Sequence, residues 1–245
     1  EVNQLARANE VDKVDIVLAG DILEISRSSL WLESPHRPYI NNDAVRPESD
    51  VEAVILSILE AIWNESNVSE TLSYFKQIQD HFDMDVQIHL ILGNHDRLAN
   101  ATPHIREVVR EMFGLEGGST ALDHYLIIDD KVGQPFCLIR HGHEYDPANF
   151  SWDLRRIETI PAEISPSHYG RACLGDIVTS EFGAALPRYF KEVYGEEVIL
   201  EDEGLLAIYQ RLMEFDDVRP TTAWLAYLFS MPGVGMHQTW QVIQP

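Results

Sequence analysis

The chain has 245 residues, 45% hydrophobic and 24% charged, a globular balance with enough length for one large domain or a domain carrying an insertion. Its formal net charge of −22 repels nucleic acid and anionic membrane at long range, so a phosphate-bearing substrate needs local positive charge from metal ions or a few arginines. No apolar run approaches the roughly 18 residues of a membrane span, the opening EVNQLARANEVDKVD lacks the basic-then-apolar order of a secretory signal, and two cysteines, Cys137 and Cys173, without a Cys-x-x-Cys, argue against thiolate zinc or a disulfide framework and for a cytoplasmic compartment.

Residues 2–10 read as the tail of a helix, and VDIVLA, 14–19, as a buried strand. Residues 26–49 carry three prolines and several Ser, Asn and Asp, the composition of a long loop. Ser49 and Glu52 have capping-box spacing, and Val51, Val54, Ile55, Ile58, Leu59 and Ile62 recur at helical spacing behind them. A second helical pattern covers about 69–82, and VQIHLIL, 86–92, is the next strand. Thr102-Pro103 is an N-cap and N1 pair for a helix over about 103–113. Two more strands follow near 124–130 and 135–140. Strands alternating with helices predict an α/β fold. From 150 onward the reading is mainly helical, with segments near 185–195, 203–214 and 221–230. The expected organisation is a core over 1–149, a helical cap or insertion over 150–231, and a return toward the core over 232–245.

Three strands end in chemistry-bearing residues. VDIVLA runs into Gly20-Asp21, VQIHLIL into Gly93-Asn94-His95-Asp96, and PFCLIR into His141-Gly142-His143-Glu144. In α/β sheets the ligand crevice lies at the carboxyl ends of strands, so parallel neighbours would bring the three tips together. A carboxylate, an amide and imidazoles form a mixed oxygen and nitrogen donor set, suited to Mn, Fe or Zn. Gly-Asp alone is a common turn dipeptide, and Gly175-Asp176 reads as a turn or helix cap; the order and strand-end context of the three motifs point to a site. His89, inside its strand, reads as a core or interface histidine, and His36, His81, His104, His124, His168 and His237 have no motif context. Trp31, Trp63, Trp152, Trp224 and Trp240 read as packing residues.

Gly20-Asp21, then Gly93-Asn94-His95-Asp96, then His141, resembles the signature of calcineurin-like metallophosphoesterases over residues 14–146. The resemblance implies a two-sheet α/β sandwich flanked by helices, with two divalent ions (Mn, Fe or Zn) and metal-activated water cleaving a small phosphorylated substrate. It implies that Asp21 bridges the metals, that Asn94 and His141 belong to the second metal, and that His95, paired with Asp96, acts beside the scissile phosphate. His143 and Asp146 are candidates for supporting the ligands. Arg97, Arg155 and Arg156 are candidates for contacting phosphate, since guanidinium forks match its oxygens. The family's opening Asp-x-His and closing Gly-His-x-His are absent, and the chain begins without Met. The expectation is that these motifs lie outside this sequence; the alternative is a degenerate site holding one metal or none.

Two rivals stand beside the phosphatase or phosphodiesterase reading. A nuclease is disfavoured by the charge and the lack of a basic stripe. A non-catalytic scaffold or regulatory protein is favoured by the missing motifs and disfavoured by the intact His95-Asp96 pair. Oligomeric state has no sequence signal.

Overall fold

The structure, a computed structural model, is described for residues 2–129, 133, 135–154, 157–159, 161–214, 223, 226 and 227. Arg155, Arg156, Trp224, Trp240, His237, most of the helix expected at 221–230 and the closing segment 232–245 lie outside the described residues.

Helix α1, Val2–Ala8, leads into strand β1, Lys13–Ala19. The stretch expected as loop is irregular apart from short 3-10 turns at Ile25–Arg27, Ser29–Glu33 and Asn42–Ala44. Helix α2, Asp50–Asn64, starts where the Ser49 hydroxyl accepts the Glu52 N–H at 3.3 Å. The reciprocal half of the capping box is not made, because the Ser49 N–H bonds the Arg46 carbonyl and Glu52 turns instead to the Glu48 N–H at 2.6 Å. Helix α3, Ser66–Lys76, precedes strand β2, Asp85–Ile91. Helix α4 runs Pro103–Phe113, capped by the Thr102 hydroxyl on the Ile105 N–H at 3.3 Å and ended by Gly114 in the left-handed conformation. The apolar faces of α2 and α4 meet in a core holding the buried Ile55, Ile58, Leu59, Ile105, Val109 and Phe113. The buried carboxylate of Glu52 also accepts the Thr102 hydroxyl, tying the two helix starts together.

β1 and β2 pair in parallel, with Lys13 opposite Asp85 and Ala19 opposite Ile91, so Gly20 and Leu92 leave the sheet on the same side. The crossover that parallel pairing requires is supplied by α2 and α3. Strands β3, Tyr125–Asp129, and β4, Pro135–Arg140, form an antiparallel pair with Tyr125 opposite Arg140. The third chemistry-bearing strand, β4, is therefore not a parallel neighbour of the other two. Its end still reaches the same edge. A parallel bridge joins Ile91 to Asp123, with the Leu92 N–H on the Asp123 carbonyl at 2.8 Å, so β3 begins where β2 ends. β4 then runs back along β3 and returns His141 to that level. The described strands make two small sheets in a mixed α/β fold.

The chain divides into two compact units. The first is Glu1–Ser26 with Pro38–Cys173. Residues just after 150 thus belong to the unit with the strands, where a boundary at 149/150 was expected. Phe150, Leu154 and Ile164, with Tyr169 of helix α5, Pro166–Tyr169, form a buried cluster against Tyr125 of β3, which supplies the physical reason. The second unit joins Arg27–Arg37 to the described residues from Leu174 on. It is helical: α6, Leu174–Val178, a π turn at Thr179–Ala184, α7, Ala185–Tyr194, α8, Glu196–Glu201, and α9, Glu203–Glu214. Phe190, Ile199, Ile208 and Leu212 form its core, and Arg188 binds the Ser29 carbonyl at 3.0 Å. No helix among the described residues is long and apolar enough to cross a membrane.

Candidate metal centre

The strand ends pack against each other so closely that two positions exclude any side chain. A Cβ on Gly20, whose φ is +88°, would lie 2.4 Å from the His141 ring, and one on Gly93 would lie 2.1 Å from Asp21 Oδ1. Both glycines are therefore spaces filled by side chains from other strand ends. After Gly20 the backbone enters a tight turn in which Asp21 (φ 51°) and Glu24 (φ 49°) both adopt the left-handed conformation that non-glycine residues rarely take. Asp96, fully buried, holds this turn: its carboxylate accepts the N–H groups of Ile22 at 2.9 Å, Leu23 at 2.9 Å and Glu24 at 3.0 Å. The Ser26 N–H donates to the His95 carbonyl at 3.0 Å and completes the clasp.

Asp21 stands at the centre. Its Oδ2 lies 3.1 Å from His141 Nε2, and its Oδ1 accepts the His95 N–H at 2.9 Å. His95 Nδ1 lies 2.7 Å from Glu24 Oε2. Asn94 is buried between Gly93, whose Cα faces Asp21, and His95, whose N–H reaches it. His141 Nδ1 lies 3.0 Å from His143 Nδ1.

The charges explain the titration of the group. Burial disfavours the imidazolium of His95, but the hydrogen bond to Glu24 and the charges of Glu24, Asp21 and Asp96 outweigh it and raise the pKa to about 9. Burial pushes Asp96 up to about 6, helped by the neighbouring Asp21 charge and opposed by its backbone donors. Burial also works against ionised Asp21, yet the His141 hydrogen bond and the charges of both histidines hold its carboxyl below the ordinary range. His141 is raised, first by its hydrogen bond to Asp21. A carboxylate-rich pocket that stabilises two imidazolium groups is one that favours positive charge.

The geometry brings Asp21, His95 and His141 to one place from three strand ends, with Asn94 buried in the chain between Gly93 and His95. It revises other expectations. Asp96 is not the partner of His95; its oxygens serve the 22–24 turn, and Glu24 holds the imidazole instead. Sequence reasoning missed Glu24; the only signal was an acidic residue one turn after Asp21. Arg97 is not available to phosphate, being buried with its guanidinium donating to the carbonyls of Pro38 at 2.6 Å and Ile40 at 2.7 Å. Asp146 closes its own turn, accepting the Ala148 N–H and the Asn149 amide at 2.9 Å each. His89 bonds Asp15 across the β1–β2 pair at 2.8 Å.

The Asp21 carboxylate and the His141 imidazole form a donor pair of the kind that fits a divalent cation. Asp21, Glu24 and His95 also each offer an atom within 4.8 Å of the others, which no other group of three acidic, His or Cys residues does among the described residues, but His95 Nδ1 and Glu24 Oε2 are engaged with each other at 2.7 Å. His141 Nε2 adds an imidazole on the far oxygen of Asp21. The space kept free of a Cβ at Gly93 seats the Asp21 carboxylate. Compared with protein families, curated proteins and solved structures, the chain finds no match.

Proposed function

We propose that this chain hydrolyses phosphate esters of small substrates with divalent metal ions held at Asp21, Asn94 and His141, in the manner of the calcineurin-like metallophosphoesterases that its motifs resemble. The observation that carries the reading is the Asp21 carboxylate, held between His141 Nε2 and the His95 N–H although these residues lie far apart in sequence. The finer fold reading, a two-sheet α/β sandwich, belongs to the same proposal and is supported by the way β3 starts at the end of β2 and β4 returns. A bound pair of ions (Mn, Fe or Zn) supplies Lewis-acid charge and an activated water.

The chain's own residues supply the rest. Glu24 fixes the His95 ring through Nδ1, which leaves Nε2 as the proton-carrying atom. The surrounding carboxylates, Glu24 first, favour the protonated form of the His95 ring in the metal-free chain. As water adds to phosphorus and the P–O bond to the leaving group breaks, the leaving oxygen takes the proton from His95 Nε2, and a proton of the attacking water stays on the product phosphate until it returns to the ring. Asp96 keeps Asp21 and Glu24 in place by holding the turn between them. We assign the reaction to a reducing, cytoplasmic setting, supported by a sequence with two cysteines and no Cys-x-x-Cys.

The test is hydrolysis of p-nitrophenyl phosphate and its bis ester by the purified chain with Mn2+, Fe2+ or Zn2+, alongside equilibrium dialysis of the ion. Saturable ion binding with turnover that chelation abolishes, both lost in Asp21→Ala, is the expected result. Absence of ion binding and turnover would overturn the proposal in favour of a scaffold, and cleavage confined to DNA would replace it with a nuclease.

A further inference from the structure

Behind His141 lies a buried group that the proposed reaction does not use. His143 is almost fully buried, packed edge-on against Phe150 and Tyr169 with ring centroids 5.6 and 5.7 Å away. Its Nδ1 lies 3.0 Å from Nδ1 of His141. Two imidazole nitrogens at that separation share one proton, so one ring donates and the other accepts. The direction decides what His141 presents at its other nitrogen, Nε2, which faces Asp21 Oδ2. If His141 donates through Nδ1, its Nε2 can give up a proton to become a metal donor and the ring remains an ordinary neutral imidazole. If His141 accepts, its one proton sits on Nε2 and blocks that atom.

The surroundings choose between these. Among the described residues, the carboxylate in ion-pair range of His143 Nδ1 is Glu144, whose Oε2 lies 3.8 Å away, beyond hydrogen-bond range. Glu144 is held there by other donors. Its Oε2 accepts the Gly142 N–H at 3.1 Å and its Oε1 accepts the Tyr169 hydroxyl at 2.9 Å. Gly142 has a φ of +102°, a conformation open to glycine, and this turn aims its N–H back at the carboxylate. The hydroxyl and the backbone thus occupy the carboxylate that competes for the His143 proton, and leave the Nδ1 lone pair of His143 to His141.

We propose that His143 is a positioning residue whose Nδ1 accepts the Nδ1 proton of His141, fixing its ring and directing its Nε2 lone pair toward a divalent cation beside Asp21. Glu144 and Tyr169 serve the arrangement by keeping that acceptor free. The cation in this statement rests on the function proposed above; the direction of the proton between the two rings does not. Outer partners of metal-bound histidines typically change metal affinity about 10–100-fold.

The experiment is nitrogen-15 NMR of the histidine rings in the full chain, metal-free and with Zn2+, together with Zn2+ dialysis of two variants. The expected spectra show His143 with a bare Nδ1 and a protonated Nε2 in both states, and His141 with a protonated Nδ1. His143→Phe keeps the aromatic packing but removes the acceptor, and should weaken Zn2+ binding about 10–100-fold. His143→Gln, which retains an acceptor oxygen, should restore most of that loss. A proton on Nδ1 of His143, or equal affinity in wild type and His143→Phe, would overturn the inference. A wild-type chain that shows the expected ring protons but binds no Zn2+ would instead refute the proposed function and leave the acceptor role standing.

Discussion

The imidazole of His95 is held by Glu24, not by its sequence neighbour Asp96: Nδ1 and Oε2 are 2.7 Å apart, across 71 positions of chain. The carboxylate that orients the ring and the carboxylate that shapes the turn are thus two different residues. His95→Ala should lower turnover by about 10²–10⁴ with ion content unchanged. Glu24→Gln, which keeps an acceptor oxygen but removes the charge, should cost less, and should bring the His95 pKa down from about 9 in the metal-free chain. Histidine NMR titration beside steady-state kinetics reads both; a His95 pKa unmoved in Glu24→Gln would disprove the pairing.

Gly93→Ala tests the close packing of strand ends. The new methyl would lie 2.1 Å from Asp21 Oδ1, so the carboxylate or the β2 turn must move. Overpacking of this kind costs about 1–3 kcal/mol, too little to unfold most domains. The expected variant is folded by circular dichroism, somewhat less stable, and poor in bound ion. Wild-type ion content in this variant would show that Asp21 is not a ligand.

Arg97→Ala separates a structural arginine from a phosphate contact. The guanidinium satisfies the carbonyls of Pro38 and Ile40 and is almost fully buried. Its removal leaves buried carbonyls without donors, at about 1–3 kcal/mol each. Thermal denaturation should fall by several degrees, while KM for a phosphate ester in the surviving folded protein stays near wild type. A selective rise in KM at unchanged stability would return Arg97 to the substrate.

His124 predicts the acid limb of the stability curve. It is buried, stacked on Tyr169 with ring centroids 4.1 Å apart, and accepts the Asn100 amide on Nε2 at 3.2 Å. Burial, with the nearby His143, lowers its pKa to about 3 from an ordinary 6.5. The unfolded chain therefore takes up a proton below about pH 6.5 that the folded chain refuses until about pH 3. The stability from keeping this ring neutral is full above pH 6.5 and is lost as pH falls toward 3, at up to about 1.4 kcal/mol per pH unit. His124→Phe keeps the stack and cannot take up a proton. Its urea midpoint should fall less steeply with acid than that of wild type, and parallel curves would refute the assignment.

The local elements were legible in the chain because each rests on near-neighbour chemistry. The helix at Pro103–Phe113 follows from a Thr-Pro start, helical apolar spacing and a terminal Gly, all within a dozen residues. β1 and β2 follow from short apolar runs, and Gly20-Asp21 and Gly93-Asn94-His95 are recognisable as strand ends for the same reason. What the sequence could not state was which of these ends meet and which polar partner each side chain takes. The meeting of His141 with Asp21 depends on β3 starting at the end of β2 and on the antiparallel return of β4, a matter of register between distant strands. The choice of Glu24 over Asp96 for His95, and of backbone carbonyls over phosphate for Arg97, depends on distances of a few ångströms between groups that are remote in the chain or turned apart within it. Hydrogen bonds are short-ranged and directional, so residue order can nominate the partners, and only the folded backbone decides which donor reaches which acceptor.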